Sequence, residues 1–179
     1  MLRTGRVLAL AALALAAASC GGKPEKDAAA DVQTFLAAVQ QRDVAEFERA
    51  IDRPAVRGVL RAQMVELSRA AGLEVEGGPS EFALNRMIGP DNLQLVDAAS
   101  GQPMMSPPTV EQVRPMLKTV EKGVVCLHDG TPQQGCLLTF QKQKGGTKDE
   151  AGETRQAGWR LTGMPANHLQ IAIAPPPAS

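Results

Sequence analysis

The chain has 179 residues, of which 19 are Lys or Arg and 19 are Asp or Glu. This balance lacks the clustered excess of basic side chains that is typical of nucleic-acid-binding proteins, so we expect no nucleic-acid partner. Only 3% of the residues are aromatic, with no Tyr and one Trp, which argues against a carbohydrate-binding face or a platform for stacked bases.

The first twenty residues carry the order of features that is typical of an export signal. Arg3 and Arg6 precede an unbroken run of Val, Leu and Ala over residues 7–18, and Ser19 then leads to Cys20. The run has about a dozen residues, whereas a helix needs roughly twenty to cross a bilayer. The pattern therefore predicts a signal peptide over residues 1–19 rather than a membrane-spanning anchor.

A cysteine at the predicted cleavage point resembles the signal of bacterial lipoproteins, with Ala17-Ala18-Ser19-Cys20 in the place of the lipobox. The resemblance implies cleavage before Cys20, diacylation of its thiol, and a lipid anchor that holds the protein on a membrane of the bacterial cell envelope, facing the periplasm. Gly21 stands where Asp would resemble an inner-membrane retention signal, which favours the outer membrane. The alternative is an ordinary secretory signal followed by an incidental cysteine.

We expect the mature chain to form one domain, because its roughly 160 residues match the usual size of a single domain. Residues 20–26 predict a polar tether, residues 27–174 a single folded domain, and residues 175–179 a proline-rich tail. Removing Arg3 and Arg6 with the signal leaves 17 of the 19 basic residues against 19 acidic ones, a net charge of −2.

Helical periodicity dominates the first part of the domain. Apolar residues at helical spacing predict a first helix from residue 27, and Asp43, Asp52 and Ser80 precede three further helices as N-caps. The same reasoning predicts helix from residue 93 to about residue 99. The capping-box spacing of Thr109 and Gln112 predicts another helix that extends to Val120.

The last third of the domain has the pattern of strands. Residues 124–128 and 136–140 flank a turn-rich segment and predict a hairpin, and alternation over residues 159–163 and 169–173 predicts two more strands. Helices first and strands last favour an α+β domain. We expect short N-terminal helices packed on one face of a C-terminal antiparallel sheet of three to four strands.

Cys126 and Cys136 lie opposite each other in the predicted hairpin. An exported protein meets an oxidising compartment, so we predict a disulfide that closes a ring of roughly ten residues. The alternative is two reduced thiols that act as small buried hydrophobes. Together with His128 they supply too few ligands for a metal site, and we predict neither a metal nor a cofactor.

Three stretches of the chain carry a resemblance to a known family. They are residues 39–63, residues 87–93, and residues 158–164, the last of which reads Gly-Trp-Arg-Leu-Thr-Gly-Met. Together they resemble a family of domains of unknown function found in small exported proteobacterial proteins. That family implies no catalytic residues for this chain.

Two features suggest where a partner could bind. Arg53, Arg57 and Arg61 recur at helical spacing and form one basic stripe, either a solvated helix face or a contact for lipid headgroups or an acidic partner. Met104 and Met105 lie together in a proline-rich loop. They are either a soft hydrophobic contact or a cover over the core.

The sequence contains no nucleophile elbow, zinc-protease motif, P-loop or dinucleotide-binding motif, so we expect no enzymatic activity. The favoured interpretation is a lipid-anchored, non-enzymatic module that binds another envelope protein. The alternative is a periplasmic carrier of a small apolar ligand, with a pocket between the sheet and the helices. The predicted lining of that pocket is Phe35, Leu36, Phe47, Trp159 and Leu161.

Overall fold

A computed structural model describes residues 23–73, 78–129, 135–146, 148, 152, 154 and 156–175. Within this part of the chain the α-helices are Pro24–Gln41 (α1), Val44–Ala50 (α2), Arg53–Ala70 (α3), Glu81–Met87 (α4) and Val110–Val113 (α5). The strands are Leu93–Asp97 (β1), Leu117–Glu121 (β2), Val124–Leu127 (β3), Leu138–Gln143 (β4), Gly158–Gly163 (β5) and Leu169–Ile173 (β6).

Two sheets carry the strands. The larger sheet is antiparallel in the order β2–β3–β4–β5, which confirms the predicted α+β class and antiparallel sheet. The smaller sheet pairs β1 with β6 in parallel, so that Leu93 lies opposite Leu169. Strand β6 therefore pairs with β1, which is distant from it in the sequence, and does not extend the antiparallel sheet.

The core lies between α1 and the sheets. Phe35 of α1 packs against Phe47 of α2 and Phe140 of β4, with ring centroids 5.5 and 5.4 Å apart. All three rings are fully buried. Buried residues recur along α1 at the three- and four-residue spacing that the sequence indicates. They are Ala28, Ala29, Val32, Phe35, Leu36, Ala38 and Val39.

Local hydrogen bonds set the helix ends where the sequence predicts them. The side chains of Asp43, Asp52 and Ser80 each accept a hydrogen bond from a backbone N–H in the first turn of α2, α3 and α4. Thr109 and Gln112 form the complete reciprocal capping box before α5. The start of α1 differs from the prediction, because this helix begins at Pro24, inside the segment expected to be a tether.

The predictions of helix at residues 93–99 and up to residue 120 are wrong. A single 3-10 turn precedes β1, whose alternating Leu93, Gln94 and Leu95 pair with β6. The helix begun at Thr109 stops at Val113, because Pro115 cannot continue an α-helical ladder, and residues 114–116 form a 3-10 turn. Residues 117–121 then pair with β3 as a strand, a tertiary contact that local periodicity does not reveal.

The hairpin of β3 and β4 carries the predicted disulfide. Cys126 and Cys136 are bonded, with their Cα atoms 5.4 Å apart and a separation of ten positions in sequence. Cys126 lies opposite Thr139 in the ladder, and Cys136 precedes β4 instead of lying within it. The disulfide therefore joins the last part of β3 to the segment that enters β4.

Candidate functional site

The basic stripe on α3 is engaged by acidic groups of the same chain. Arg53 forms an ion pair with Glu48 of α2. Arg57 and Arg61 both pair with the carboxylate of Glu81 in α4, and Arg57 Nη1 lies 3.3 Å from that carboxylate. The Arg53 and Arg57 side chains are only 19% and 17% exposed. The stripe therefore joins α3 to its neighbours through ion pairs, and Arg61 is the most exposed of its three arginines, at 41%.

The acidic partners of the stripe are the residues that sequence reasoning missed. Glu48 lies five residues before Arg53 across a helix boundary, and Glu81 lies twenty residues after Arg61 on another helix. Arg53 also donates hydrogen bonds to the side-chain oxygen of Asn85 and to the carbonyl of Ile88. Only the way in which α4 folds back on α3 brings these groups together, and no sequence spacing signals it.

The two adjacent methionines have different surroundings. Met104 is partly buried against the core, its N–H donates to the Leu95 carbonyl, and its own carbonyl accepts from Gln40 Nε2 at 3.2 Å. Met105 is 94% exposed. Of the two predicted roles, Met104 fits the cover over the core and Met105 presents a flexible apolar side chain to solvent.

The Gln40 contact fixes this loop at one end of α1. Gln40 is the second-last residue of α1, and Pro24 begins the helix. At a rise of about 1.5 Å per residue, the sixteen steps between them correspond to roughly 24 Å. The Met105 side chain is therefore displayed far from the end of the domain at which the chain leaves toward Cys20.

The five side chains predicted to line an apolar pocket lie in the core. They are no more than 5% exposed, and the rings of Phe35 and Phe47 are in contact. The space between α1, α2 and the antiparallel sheet is thus occupied by protein side chains. The residues concerned are Phe35, Leu36, Phe47, Trp159 and Leu161.

A groove of about 750 Å³ runs along the surface between α1, α2 and β5. Asp31, Glu48, Arg49, Trp159 and Arg160 contribute to its lining, and its walls carry charges of both signs. Such a lining suits polar ligands better than apolar ones. The residues that line the groove come from three distant parts of the chain, which explains why no sequence motif indicates the groove.

Two carboxylates of this groove are engaged by neighbouring groups of the protein. Asp31 Oδ2 accepts a hydrogen bond of 2.7 Å from the backbone N–H of Trp159, which fixes β5 to α1. Glu48 is engaged by Arg53. The indole Nε1 of Trp159 is buried and has no hydrogen-bond partner within the described residues.

The first turn of α1 is fastened to the sheet by two carboxylates. Glu25 Oε1 accepts from the backbone N–H of Thr119 at 3.0 Å and from its hydroxyl, and Asp27 Oδ2 lies 2.6 Å from Lys142 Nζ. The hydrogen bond from the Thr119 hydroxyl is the main reason why the pKa of Glu25 lies below its ordinary value. These contacts attach the start of α1 to β2 and β4.

Other predicted features fall partly outside the description. Cys20 and the predicted signal lie outside the described residues. Among the residues that are described, no helix has both the length and the apolar composition needed to cross a bilayer. Within that same part of the chain, no three His, Cys, Asp or Glu side chains stand close enough to hold a metal ion.

No curated protein and no solved structure matches the chain. A family model does match, over residues 9–113, which include α1 to α5 and β1. Two of the three stretches that carry the predicted resemblance, residues 39–63 and 87–93, lie within this match, and the third lies beyond it. The chain therefore belongs to the family described as "Protein of unknown function (DUF2939)".

Proposed function

We propose that this protein is a lipid-anchored component of the bacterial envelope that binds another envelope protein through the Met105 end of its domain. In this proposal Cys20 carries the acyl chains, the protein faces the periplasm, and the outer membrane is the favoured location. The role is binding rather than catalysis.

The observation that carries the proposal is the opposite placement of two features along α1. The chain reaches Cys20 from the Pro24 end, and Gln40 holds the Met104 backbone at the other end. An anchor at Cys20 would thus turn the 94% exposed Met105 away from the bilayer and toward soluble or membrane-bound neighbours. An exposed, unbranched methionine adapts well to the apolar surface of a partner.

The packed core favours this role over that of an apolar carrier. The residues that would line the carrier's pocket are in contact with one another, so a ligand would have to displace Phe35 or Phe47 from the core. Opening a close-packed core to that extent costs several kcal/mol, typically about 3–5 for the loss of one phenylalanine. The arginine stripe is a weaker docking site than the loop, because Glu48 and Glu81 already occupy it.

Site-specific photo-cross-linking tests the proposed surface in living cells. A photoreactive side chain replaces Met105 in the full chain, and the control places it at Leu67, which is 62% exposed on α3. We expect one envelope protein to be captured from position 105 and not from position 67, and an excess of the unaltered chain to reduce this capture more than an excess of the Met105→Ser chain does. Identical captures from both positions would overturn the proposed surface.

The anchor is tested separately by intact mass. We expect the purified chain to lack residues 1–19 and to carry a thioether-linked diacylglyceryl group on Cys20. A secreted chain of the cleaved but unmodified mass would establish the alternative of an ordinary secretory signal.

A further inference from the structure

We infer that the end of the domain at which α1 begins rests on anionic phospholipid headgroups and contacts them through a cluster of exposed lysines. This inference depends on the proposed anchor at Cys20. It adds the orientation of the domain on the membrane and the chemistry of the contact. The cluster, here called the lysine end, consists of Lys23, Lys26, Lys122, Lys142, Lys144 and Lys148.

The distance between the anchor and the domain is short. Three residues, 21–23, separate Cys20 from the first residue of α1. The four steps from Cys20 to Pro24, at most about 3.6 Å each, give a link of roughly 14 Å, about half the length of α1. Whichever surface surrounds the start of α1 is therefore held beside the headgroups.

Three elements besides α1 meet at this surface. The ion pair between Asp27 and Lys142 joins the first turn of α1 to the end of β4. The backbone N–H of Lys142 donates to the Gly123 carbonyl at 2.8 Å, which places the β2–β3 turn next to it. Lys144 follows directly after β4. The lysines at these positions thus share one end of the domain although they are distant in sequence.

The lysines of the chain are concentrated at this end of the domain. Six of the seven lysines in the chain belong to the lysine end, and all six are exposed or lie at the exposed start of α1. The described acidic residues there are Glu25, Asp27 and Glu121, and the first two are engaged by Thr119 and Lys142. Asp149, Glu150, Glu153 and Arg155, which belong to the β4–β5 connection, lie outside the described residues.

The arginines behave differently from the lysines. In the described part of the chain, ion pairs to Asp or Glu engage six arginines, Arg42, Arg49, Arg53, Arg57, Arg61 and Arg69, but only one lysine, Lys142. Among the described residues, the other five lysines of the lysine end are exposed and form no such ion pair. A basic segment beside a membrane anchor is attracted to anionic headgroups over a distance of about one Debye length, about 8 Å at physiological salt.

Lysine footprinting on vesicles tests the contact. The full chain, expressed with its own N-terminal residues and purified in detergent, is reconstituted into vesicles of phosphatidylcholine alone or of phosphatidylcholine mixed with phosphatidylglycerol. An acetylating reagent is then added, and mass spectrometry measures the rate at which each lysine is acetylated. We expect acetylation of Lys122 and Lys144 to be at least about threefold slower on the anionic vesicles, and the difference to vanish in 1 M NaCl, where the Debye length is about 3 Å.

Arginine modification supplies the control for orientation. Arg69 lies in the last turn of α3 and Arg114 in the 3-10 turn before β2, and both are exposed. We expect their reaction with a dicarbonyl reagent to be equal on both kinds of vesicle. The double variant K122E/K144E should restore acetylation of Lys142 on anionic vesicles, whereas R69E/R114E should leave it slow.

The outcomes separate the two levels of the proposal. A purified chain without acyl groups overturns the proposed anchor and this inference together. An acylated chain with equal lysine rates on both vesicles overturns the headgroup contact alone and leaves the anchor in place. An acylated chain whose arginines are protected as strongly as its lysines overturns the orientation.

Discussion

Helices α1 and α3 have the same length, 18 residues, and yet they are held in place by different kinds of contact. Helix α1 buries seven residues and lies against both sheets, whereas α3 buries only Val56 and Leu60. Polar groups hold much of α3: Glu81 pairs with two of its arginines, and Gln63 bonds to the backbone of Met164 and Ala166.

This difference shows which helix the fold depends on. Burial of apolar area is the main source of stability, and most helical stability in proteins comes from packing of an apolar face rather than from helix propensity. Helix α1 therefore organises the core. Helix α3 is attached mainly through residues 53–63, and its outer surface is free to vary without loss of the fold.

The largest expected effect comes from breaking the α1 side of the comparison. Phe35→Ala removes a fully buried ring that contacts Phe47 and Phe140. We expect the free energy of unfolding to fall by about 3–5 kcal/mol, because the change combines lost burial with a cavity. Urea unfolding followed by the fluorescence of Trp159 measures this loss.

The matched change on α3 is Leu67→Ala. Leu67 is 62% exposed, so we expect a change of no more than about 0.5 kcal/mol in the same urea experiment. If the two substitutions cost similar amounts, the assignment of the core to α1 would be wrong.

The sequence predicts both α1 and α3 from local signals, but it does not predict which distant residues an element packs against or pairs with. Periodicity and the Asp52 cap are local signals, and both are present in the structure. The strands at Leu93 and Leu117 were predicted as helix, because their pairing with β6 and β3 is a property of distant residues. The same limit applies to sites. The disulfide follows from a local hairpin whose cysteines are ten positions apart, whereas the arginine stripe pairs with residues of other helices, such as Glu81, which lies 20 positions after Arg61.

The loop that contains Met104 and Met105 shows what sequence composition predicts and what it does not. Two adjacent methionines near prolines allow either a contact or a cover, and the sequence does not separate Met104 from Met105. The separation arises from Leu95 and Gln40, which bond to the Met104 backbone and turn its neighbour outward. Hydrogen bonds between loops and distant elements are set by the completed fold.

The second largest effect tests the sheet beneath α1. The double variant C126A/C136A opens the ring that the disulfide closes in the hairpin of β3 and β4. For a loop of about ten residues, chain entropy predicts a loss of about 2.7 kcal/mol in the free energy of unfolding. The unaltered chain in dithiothreitol is the control, and we expect its urea midpoint to match that of the double variant. Equal midpoints for oxidised and reduced chains would contradict the expected stabilisation.

A smaller effect tests the α3 side. Glu81→Gln removes the charge that pairs with Arg57 and Arg61. We expect a loss of about 0.2–1 kcal/mol, because partly exposed ion pairs contribute little and are screened by salt. Glu66→Gln, which removes a well-exposed pair with Arg69 within α3, should have a still smaller effect. The cost of Glu81→Gln should shrink in 1 M NaCl, and a cost as large as that of Phe35→Ala would place α3 among the core elements.

The smallest expected effect concerns the polar fastening at the start of α1. The Thr119 hydroxyl donates to Glu25 and is the largest cause of a pKa below the ordinary 4.5. A lowered native pKa means that the charged carboxylate is favoured in the folded state, so its contribution to stability is present above pH 4.5 and is lost as the pH falls through the native pKa. Thr119→Val removes the hydroxyl and leaves the backbone N–H of residue 119. We therefore expect the variant to have a slightly lower urea midpoint than the unaltered chain at pH 7 and the same midpoint once Glu25 is protonated in both folded states. A gap that persists in acid would show that the valine acts through packing, and the hydroxyl of Thr119 would then contribute nothing to the fastening of α1.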